Sequence, residues 1–176
     1  MLESSMLDDR NIVLTGFMGS GKSMVSKELA RIYRRKAYST DTLIEKREGM
    51  TVRKIFESKG EPYFREAEMA VVQEVAQLQS VIIDCGGGVV LNPLNMKRLR
   101  KGGIIFYLQT SADSVLRQIK NSKKRPLLNV ADPQARIVQL LTEREPLYLK
   151  ADYTLDVAHN SLPEIVKKMR GILDDE

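Results

Sequence analysis

The stretch NIVLTGFMGSGKS at residues 11–23 has the residue types and spacing of a phosphate-binding loop. An apolar run leads into Gly16, and four residues later come glycine, lysine and serine, followed by the amphipathic run MVSKELARIY. This is the Walker A pattern in its strand-loop-helix setting. Its glycines allow the backbone to curl so that N–H groups point inward, and the following helix adds the positive end of its dipole. The stretch therefore predicts an anion cradle suited to nucleotide phosphates.

The side chains of this loop have the chemistry that ATP and Mg²⁺ require. Lys22 would reach the β- and γ-phosphates, and the Ser23 hydroxyl would bind the Mg²⁺ that bridges them. The expected nucleotide contacts are Gly16, Gly19, Ser20, Gly21, Lys22, Ser23 and Met24. A glycine-rich turn with an exposed lysine is the alternative, but the agreement of spacing, residue types and flanking elements favours a nucleotide site.

The Walker A pattern alone leaves the phosphate acceptor open, so kinases, GTPases and ATPase modules all fit it. A GTPase usually carries the base-recognising string N-K-x-D, which does not occur in the sequence. Helicase and transporter ATPases usually need larger cores than a chain of 176 residues supplies. A small kinase is therefore the favoured class.

Length and composition indicate one enzyme domain over residues 1–176. The net charge of +5 comes from 28 basic and 23 acidic residues spread along most of the chain. Aromatic residues make up 6% and tryptophan is absent, which disfavours stacking on nucleic acid. The one cysteine, Cys85, excludes an intrachain disulfide. Residues 1–10 are acidic without an apolar run, so we expect a cytoplasmic protein with no signal peptide and no membrane partner.

The elements that must position these residues alternate along the chain. Short apolar runs predict strands at 11–15, 37–39, 81–84, 104–108 and 153–157. Longer segments of helical period predict helices at 22–34, 42–48, 52–59, 62–79, 93–100, 112–120, 134–149 and 162–173. This alternation is typical of an α/β fold with a parallel sheet and helices on both faces. The polar, basic stretch 121–133 lacks periodicity and is a candidate mobile lid.

Five further clusters accompany the loop: STD at 39–41, FREAE at 64–68, DCGGGVV at 84–90, RPLL at 125–128 and REPLY at 144–148. In this order and spacing the chain resembles the shikimate kinases along nearly its whole length. The resemblance implies a three-layer α/β/α P-loop fold with a five-stranded parallel sheet of order 2-3-1-4-5 and a mobile lid. It also implies direct transfer of the γ-phosphoryl group of ATP, with Mg²⁺, to the 3-hydroxyl of shikimate by a monomer. That reaction is a step of chorismate and aromatic amino-acid biosynthesis.

By this resemblance the acceptor is bound by the segment 40–70, the glycine triplet and the last motif. Arg65 and Arg144 match the two arginines that hold the carboxylate, for which guanidinium forks are suited. Asp41 matches the aspartate that orients the reacting hydroxyl and accepts its proton. Backbone N–H groups that approach the ligand belong to Gly86, Gly87 and Gly88.

Each of these residues also has a purely structural alternative. Arg65 could pair with Glu61 or Glu68 on a helix face, and Arg144 with a neighbouring turn. Asp41 could cap the helix that follows it. A triple glycine, taken alone, is more often just a turn. The positions of the side chains in the fold distinguish these alternatives.

The lid is expected to complete the nucleotide site. Arg125 of RPLL matches the lid arginine that contacts the phosphates and stabilises the transferring group, and closure of the lid would exclude water. The family's adenine-stacking arginine falls at Gln118, next to Arg117. A shift by one residue turns a helix by about 100°, so the adenine contact has no assigned residue.

The metal-binding acids depart from the family pattern. Members usually carry aspartate-x-aspartate after the second strand, the first acid holding Mg²⁺ through water, but here that first position is Ser39. The third predicted strand ends at Asp84, where many P-loop proteins place a metal-organising aspartate. We therefore predict that Asp84 acts with Ser23 at the metal.

Two other functions stay open. Another small-molecule kinase, acting on gluconate or a nucleoside monophosphate, would share the fold and nucleotide site but differ at Asp41, Arg65 and Arg144. Two arginines aimed at a carboxylate also disfavour any neutral acceptor. A domain that binds nucleotide or shikimate without catalysis is supported only by Ser39. The residues that favour an enzyme are Lys22, Ser23, Asp41 and Arg125.

Overall fold

The computed structural model of this chain describes residues 9–119 and 130–175. Its strands are β1 (Asn11–Thr15), β2 (Ala37–Ser39), β3 (Ile82–Asp84), β4 (Gly103–Gln109) and β5 (Tyr153–Asp156). Its helices are α1 (Lys22–Tyr33), α2 (Thr40–Glu48), α3 (Val52–Val75), α4 (Pro93–Gly102), α5 (Ala112–Ile119), α6 (Pro133–Tyr148) and α7 (Leu162–Asp175), with a 3-10 turn at Val89–Leu91. Within the described ranges, none of these helices combines the length and apolarity needed to cross a bilayer.

All paired strands of the sheet are parallel, in the order β2-β3-β1-β4-β5. β1 is central and its five residues are buried, which is typical of a strand covered by helices on both faces. Parallel strands end at the same edge of the sheet, so the loops after β1, β2 and β3 meet there. The predicted five-stranded parallel sheet and its strand order are confirmed.

Alternate residues of the central strands face two separate cores, because successive side chains of a strand point to opposite faces. Ile12 and Leu14 pack in one core with residues of α1 and α7. Val13 packs in the other core with residues of α3, α4 and α6. A layer of helices on each face of the sheet confirms the three-layer α/β/α architecture.

Local signals place some element ends differently from the sequence pattern. α2 begins at Thr40 rather than at residue 42, because the Ser39 side chain caps it by accepting a hydrogen bond from the backbone N–H of Thr42 at 3.2 Å. The next two predicted helices form one element, α3, which is interrupted at Gly60, where φ is 84° and ψ is 169°. Glycine at that position allows the backbone to leave the helical region and re-enter it.

Most of the predicted lid lies outside the described residues. Of the stretch 121–133, the structure describes only residues 130–133, which lead into α6. Arg125 is therefore outside the described part of the chain, and its role stays a prediction.

Candidate active site

The phosphate loop joins β1 to α1, and its glycines are curled as the sequence predicts. Gly16, Gly19 and Gly21 have φ values of 149°, 76° and 85°, which residues with a Cβ rarely adopt. The Lys22 side chain lies against the loop, where its Nζ donates to the carbonyl oxygens of Gly16 (2.8 Å) and Phe17 (3.0 Å). Lys22 is only 9% exposed, so its charge is held close to the loop backbone.

A cleft of about 570 Å³ opens beside this loop, at the carboxyl-terminal edge of the sheet. Residues that follow β1, β2 and β3 meet in it. The lining residues are Met18, Gly19, Gly21, Lys22, Ser23, Met24, Ser39, Asp41, Thr42, Asp84, Cys85, Gly86, Gly87 and Gln118. Three of the predicted acceptor residues do not line the cleft itself: Gly88, Arg65 and Arg144. Gly88 is part of the glycine turn, and the two arginines lie beside that turn.

Ser23 and Asp84 form a hydroxyl-carboxylate pair in this cleft. The Ser23 Oγ donates to Asp84 Oδ2 at 2.8 Å. Asp84 is the last residue of β3, and its register partners are Leu14 of β1 and Ser39 of β2. Burial raises the pKa of Asp84, while the Lys22 charge and the Ser23 hydrogen bond act in the opposite direction. The carboxylate thus stands on the strand next to the one that carries the phosphate loop.

This pair fits a magnesium ion that arrives with a nucleotide. Mg²⁺ takes oxygen ligands, and in phosphate sites it is usually bound by one or two protein groups together with phosphate oxygens and water. In the described part of the chain, no group of three His, Cys, Asp or Glu side chains is placed to hold a metal ion. A metal at Ser23 and Asp84 would therefore depend on the nucleotide for further ligands.

Asp41 lies in the first turn of α2 and faces the glycine turn. The neighbouring Thr40 is buried, and its Oγ1 accepts a hydrogen bond from Gly86 N at 2.9 Å, which joins α2 to the turn. A Cβ at Gly86 would lie 2.5 Å from Asp41 Oδ1, so a larger residue there would displace the Asp41 carboxylate from the turn. Because Ser39 caps α2, the capping alternative for Asp41 is wrong.

Arg65 makes the predicted ion pairs and also contacts the glycine turn. Its guanidinium pairs with Glu61 at 3.1 Å and with Glu68 at 2.9 Å, as their spacing on a helix predicts. A Cβ at Gly88 would lie 2.5 Å from Arg65 Cζ. The Arg65 guanidinium therefore makes these ion pairs and also covers the glycine turn.

Sequence reasoning identifies Glu68 only as a partner of Arg65, but its burial gives it a larger part in the site. Glu68 is 1% exposed, and its Oε2 has no hydrogen-bond partner among the described residues. This oxygen lies 3.2 Å from the position that a Gly86 Cβ would take. Burial raises the pKa of Glu68 to about 7, although Arg65 acts in the opposite direction. Sequence spacing could suggest the ion pair but not the burial.

Replacing Glu68 with glutamine is expected to remove a pH dependence of stability. The ordinary pKa of this carboxyl is 4.5, and its pKa in the native state is about 7. At pH values between these two, Glu68 keeps its proton in the native state and loses it in the unfolded state. The free energy of unfolding of the wild type should therefore fall as the pH rises, by about 2 to 3 kcal/mol between about pH 5 and pH 8 relative to Glu68→Gln. Urea unfolding of both proteins at the two pH values measures this difference.

The matched control for that experiment is Glu61→Gln, since Glu61 also pairs with Arg65 but its side chain is 45% exposed. The Glu61 variant should follow the pH dependence of the wild type. Parallel pH profiles for the wild type and Glu68→Gln would contradict the assignment of a raised pKa to this carboxyl.

Arg144 is buried at the junction of the phosphate loop and the glycine turn. It is 4% exposed, and its Cζ lies 6.0 Å from the ring centroid of Phe17. Its Nη1 lies 3.8 Å from the position of a Gly87 Cβ, which is also 3.4 Å from Met18 N and 3.5 Å from Gly16 O. The turn therefore lies so close to the loop that one carbon added at Gly87 would touch the main chain of the loop, with the guanidinium beside it.

Hydrogen bonds hold the glycine turn on two sides. Gly86 N donates to Thr40 Oγ1, and the Tyr148 hydroxyl donates to Gly87 O at 2.5 Å. In the part of the chain that the structure describes, the N–H groups of Gly87 and Gly88 have no protein acceptor. Two of the three predicted backbone donors are thus available to a ligand, whereas the Gly86 donor is already used.

The adenine contact stays without an assigned residue. Gln118 lines the cleft, and its Oε1 lies 3.2 Å from the position of a Gly19 Cβ. Arg117 is exposed, and its Nη2 donates to Ser114 Oγ at 3.1 Å. Of the two α5 residues, Gln118 is the one that borders the phosphate loop.

Comparison with known proteins gives a consistent result. The sequence model of the family "Shikimate kinase" matches residues 18–173. The shikimate kinase of Caldanaerobacter subterraneus subsp. tengcongensis is 48% identical over 160 residues, covering 91% of this chain and 94% of that protein. The structure of shikimate kinase from Acinetobacter baumannii in complex with shikimate superposes with a TM-score of 0.92 and 33% identity, covering 98% of this chain and 97% of that one. A gluconokinase from Sinorhizobium meliloti, at a TM-score of 0.63 and 18% identity over 95% of this chain and 93% of that one, shares the fold alone.

Proposed function

This chain belongs to the shikimate kinase family, and we propose that it transfers the γ-phosphoryl group of ATP to the 3-hydroxyl of shikimate in the cleft described above. The observation that carries the proposal is the close approach of a lysine-bearing phosphate loop to a glycine turn flanked by Arg65 and Arg144. A nucleotide site and a carboxylate site thereby adjoin each other. The products are shikimate 3-phosphate and ADP, and the reaction serves chorismate and aromatic amino-acid biosynthesis.

ATP binds along the phosphate loop. Backbone N–H groups of the loop and the N-terminus of α1 receive the phosphates, and Ser20 and Met24 complete the set of nucleotide contacts. Lys22 exchanges its carbonyl partners for oxygens of the β- and γ-phosphates and neutralises the charge that develops there. Arg125, from the predicted lid, adds a second positive charge to the transferring group.

Shikimate binds against the glycine turn. Arg65 and Arg144 hold its carboxylate, since guanidinium groups form charge-assisted hydrogen bonds with carboxylates. The free N–H groups of Gly87 and Gly88 donate to the ligand. Asp41 orients the 3-hydroxyl and accepts its proton as the hydroxyl oxygen bonds to the γ-phosphorus and the bond from that phosphorus to the β-γ bridging oxygen breaks. Transfer is direct and in line, without a phosphoenzyme.

Ser23 and Asp84 would hold the Mg²⁺ that accompanies ATP, and the bound ion would supply positive charge opposite the β- and γ-phosphates. Ser39, the register partner of Asp84, is occupied in capping α2. The carboxylate of the metal site is therefore supplied from β3 instead of β2.

Replacing Asp84 with asparagine is expected to weaken metal binding about 10- to 100-fold, as loss of a supporting carboxylate does elsewhere. Mn²⁺ titration of the ADP complex, followed by electron paramagnetic resonance, measures this independently of turnover. ADP binding without metal should not weaken, because asparagine removes a negative charge near the phosphates. Asp113→Asn, an exposed carboxylate in the first turn of α5, is the matched control. Equal Mn²⁺ affinity in the wild type and Asp84→Asn would contradict the metal assignment.

The reaction itself is tested by coupled ADP production with purified protein, ATP and Mg²⁺. Shikimate, quinate, gluconate and AMP serve as acceptors in parallel. We expect turnover that depends on shikimate. Turnover with gluconate or AMP but not shikimate would favour the other kinase classes. ATP binding with no turnover on any acceptor would favour a domain that binds without catalysing.

The enzyme is proposed to act as a cytoplasmic monomer on small molecules, without nucleic-acid or membrane partners. The single cysteine fits a reducing compartment. Basic and acidic residues are spread along most of the chain instead of being segregated into long blocks, which supports a small phosphorylated partner over a nucleic acid.

A further inference from the structure

The Tyr148 hydroxyl has no part in the function proposed above, yet it lies at the acceptor site. Tyr148 is 1% exposed, ends α6 one turn after Arg144, and donates to Gly87 O at 2.5 Å. Its ring stacks on that of Tyr107, with centroids 4.9 Å apart and planes 14° apart. A buried and stacked ring has little rotational freedom, so its hydroxyl is held in one position.

A hydrogen bond to the Gly87 carbonyl also fixes the direction of the next N–H group. Every described peptide bond is trans. In a planar trans peptide the C=O of Gly87 and the N–H of Gly88 point in opposite directions. The Gly88 N–H therefore points away from the Tyr148 hydroxyl. This N–H has no protein acceptor among the described residues, and the Arg65 guanidinium covers the same glycine.

The glycines on both sides of this peptide make an external restraint necessary. Glycine lacks the Cβ that limits backbone rotation, so the plane between Gly87 and Gly88 can turn with little steric resistance. A turned plane would present a carbonyl oxygen where the ligand needs a donor. The Tyr148 hydroxyl opposes this rotation, because it would lose its acceptor.

We propose that Tyr148 is a positioning residue for the acceptor: by holding the Gly87 carbonyl, it aims the Gly88 N–H at shikimate beside the Arg65 guanidinium. The inference rests on the proposed function, since it takes shikimate as the ligand. Its effect falls on the acceptor more than on ATP, because the oriented donor belongs to the glycine turn and not to the phosphate loop.

Tyr148→Phe tests the proposal because it keeps the ring and its stacking and removes only the hydroxyl. KM for shikimate should rise about tenfold, the loss expected when one buried hydrogen bond is removed. KM for ATP and kcat should stay near their wild-type values. Tyr107→Phe is the matched control: it also keeps the stack and removes a hydroxyl, one that donates to Glu145, and its KM for shikimate should stay near that of the wild type.

The amide resonance of Gly88 in ¹⁵N-labelled protein is a second readout. In the wild type it should shift on titration with shikimate, and in Tyr148→Phe it should start from a different position and shift less. The inference would be overturned by any of three results. These are an unchanged KM for shikimate in Tyr148→Phe, an equal rise of that KM in Tyr107→Phe, or a Gly88 amide resonance that does not shift when shikimate is added to the wild type. A wild-type protein that neither binds nor phosphorylates shikimate would overturn the proposed function, and this inference with it.

Discussion

Replacing Lys22 with alanine is expected to lower kcat about 10²- to 10³-fold, the loss typical when one preorganised donor to the developing charge is removed. Lys22 is 9% exposed and its ammonium group is held by two carbonyl oxygens of the loop, so its position is set before the phosphates are in place. KM for ATP should rise as well, because the same charge binds the β- and γ-phosphates. Initial rates over a grid of ATP and shikimate concentrations separate the two effects.

The control for this variant is Lys27→Ala, an exposed lysine on the same helix. It removes the same charge from α1 without touching the loop, and its kinetics should match the wild type. Circular dichroism and thermal melting of both variants check that the fold is kept. A Lys22→Ala enzyme with near wild-type kcat would contradict the role given to this lysine.

Replacing Arg144 with alanine is expected to lower kcat/KM for shikimate about 10²- to 10³-fold, in the range found when one partner of a buried charge pair is truncated. Arg144 is 4% exposed, and its guanidinium lies beside the turn that presents the two free N–H groups. ADP affinity should change much less, because the residue is assigned to the carboxylate of the acceptor. Arg144→Lys should recover only part of the loss, since lysine keeps the charge but not the two-pronged geometry.

An altered acceptor gives a sharper control than an altered residue. The neutral carboxamide of shikimate should be a poor substrate for the wild type, and Arg144→Ala should discriminate little between the acid and the amide. Arg136→Ala, on the same helix but bonded to Gln139 at 3.0 Å, should behave as the wild type. Equal discrimination in the wild type and Arg144→Ala would show that the carboxylate is bound elsewhere.

Local signals in the sequence were enough to place the strands and the phosphate loop. The predicted strands agree with the observed ones to within one residue at each end, because apolar runs bounded by glycine and polar residues identify buried parallel strands without long-range information. The strand order, unlike the strands themselves, could not be predicted from these local signals. It came from the family resemblance, since nothing in the apolar runs says that β3 lies between β1 and β2.

The contacts between loops could not be predicted, because they join residues far apart in the chain. Thr40 and Gly86 are 46 positions apart, and Tyr148 and Gly87 are 61 positions apart. The burial of Glu68 likewise depends on the turn that packs against it and not on its own segment. Asp84 was accessible to sequence reasoning only because it ends a strand, and a strand end points to the edge where the ligands bind.

The close approach of the glycine turn to the phosphate loop bears on the design and durability of inhibitors. A compound that joins a phosphate mimic to a cyclic carboxylate would need only a short linker, because the loop and the turn line the same cleft. Glycine has no side chain that a mutation could shorten, so a resistance mutation at Gly87 could not widen the gap in that way. A mutation that moved the turn away from the loop would also disturb the sites of both substrates, so the resistant enzyme would lose activity together with its affinity for the drug.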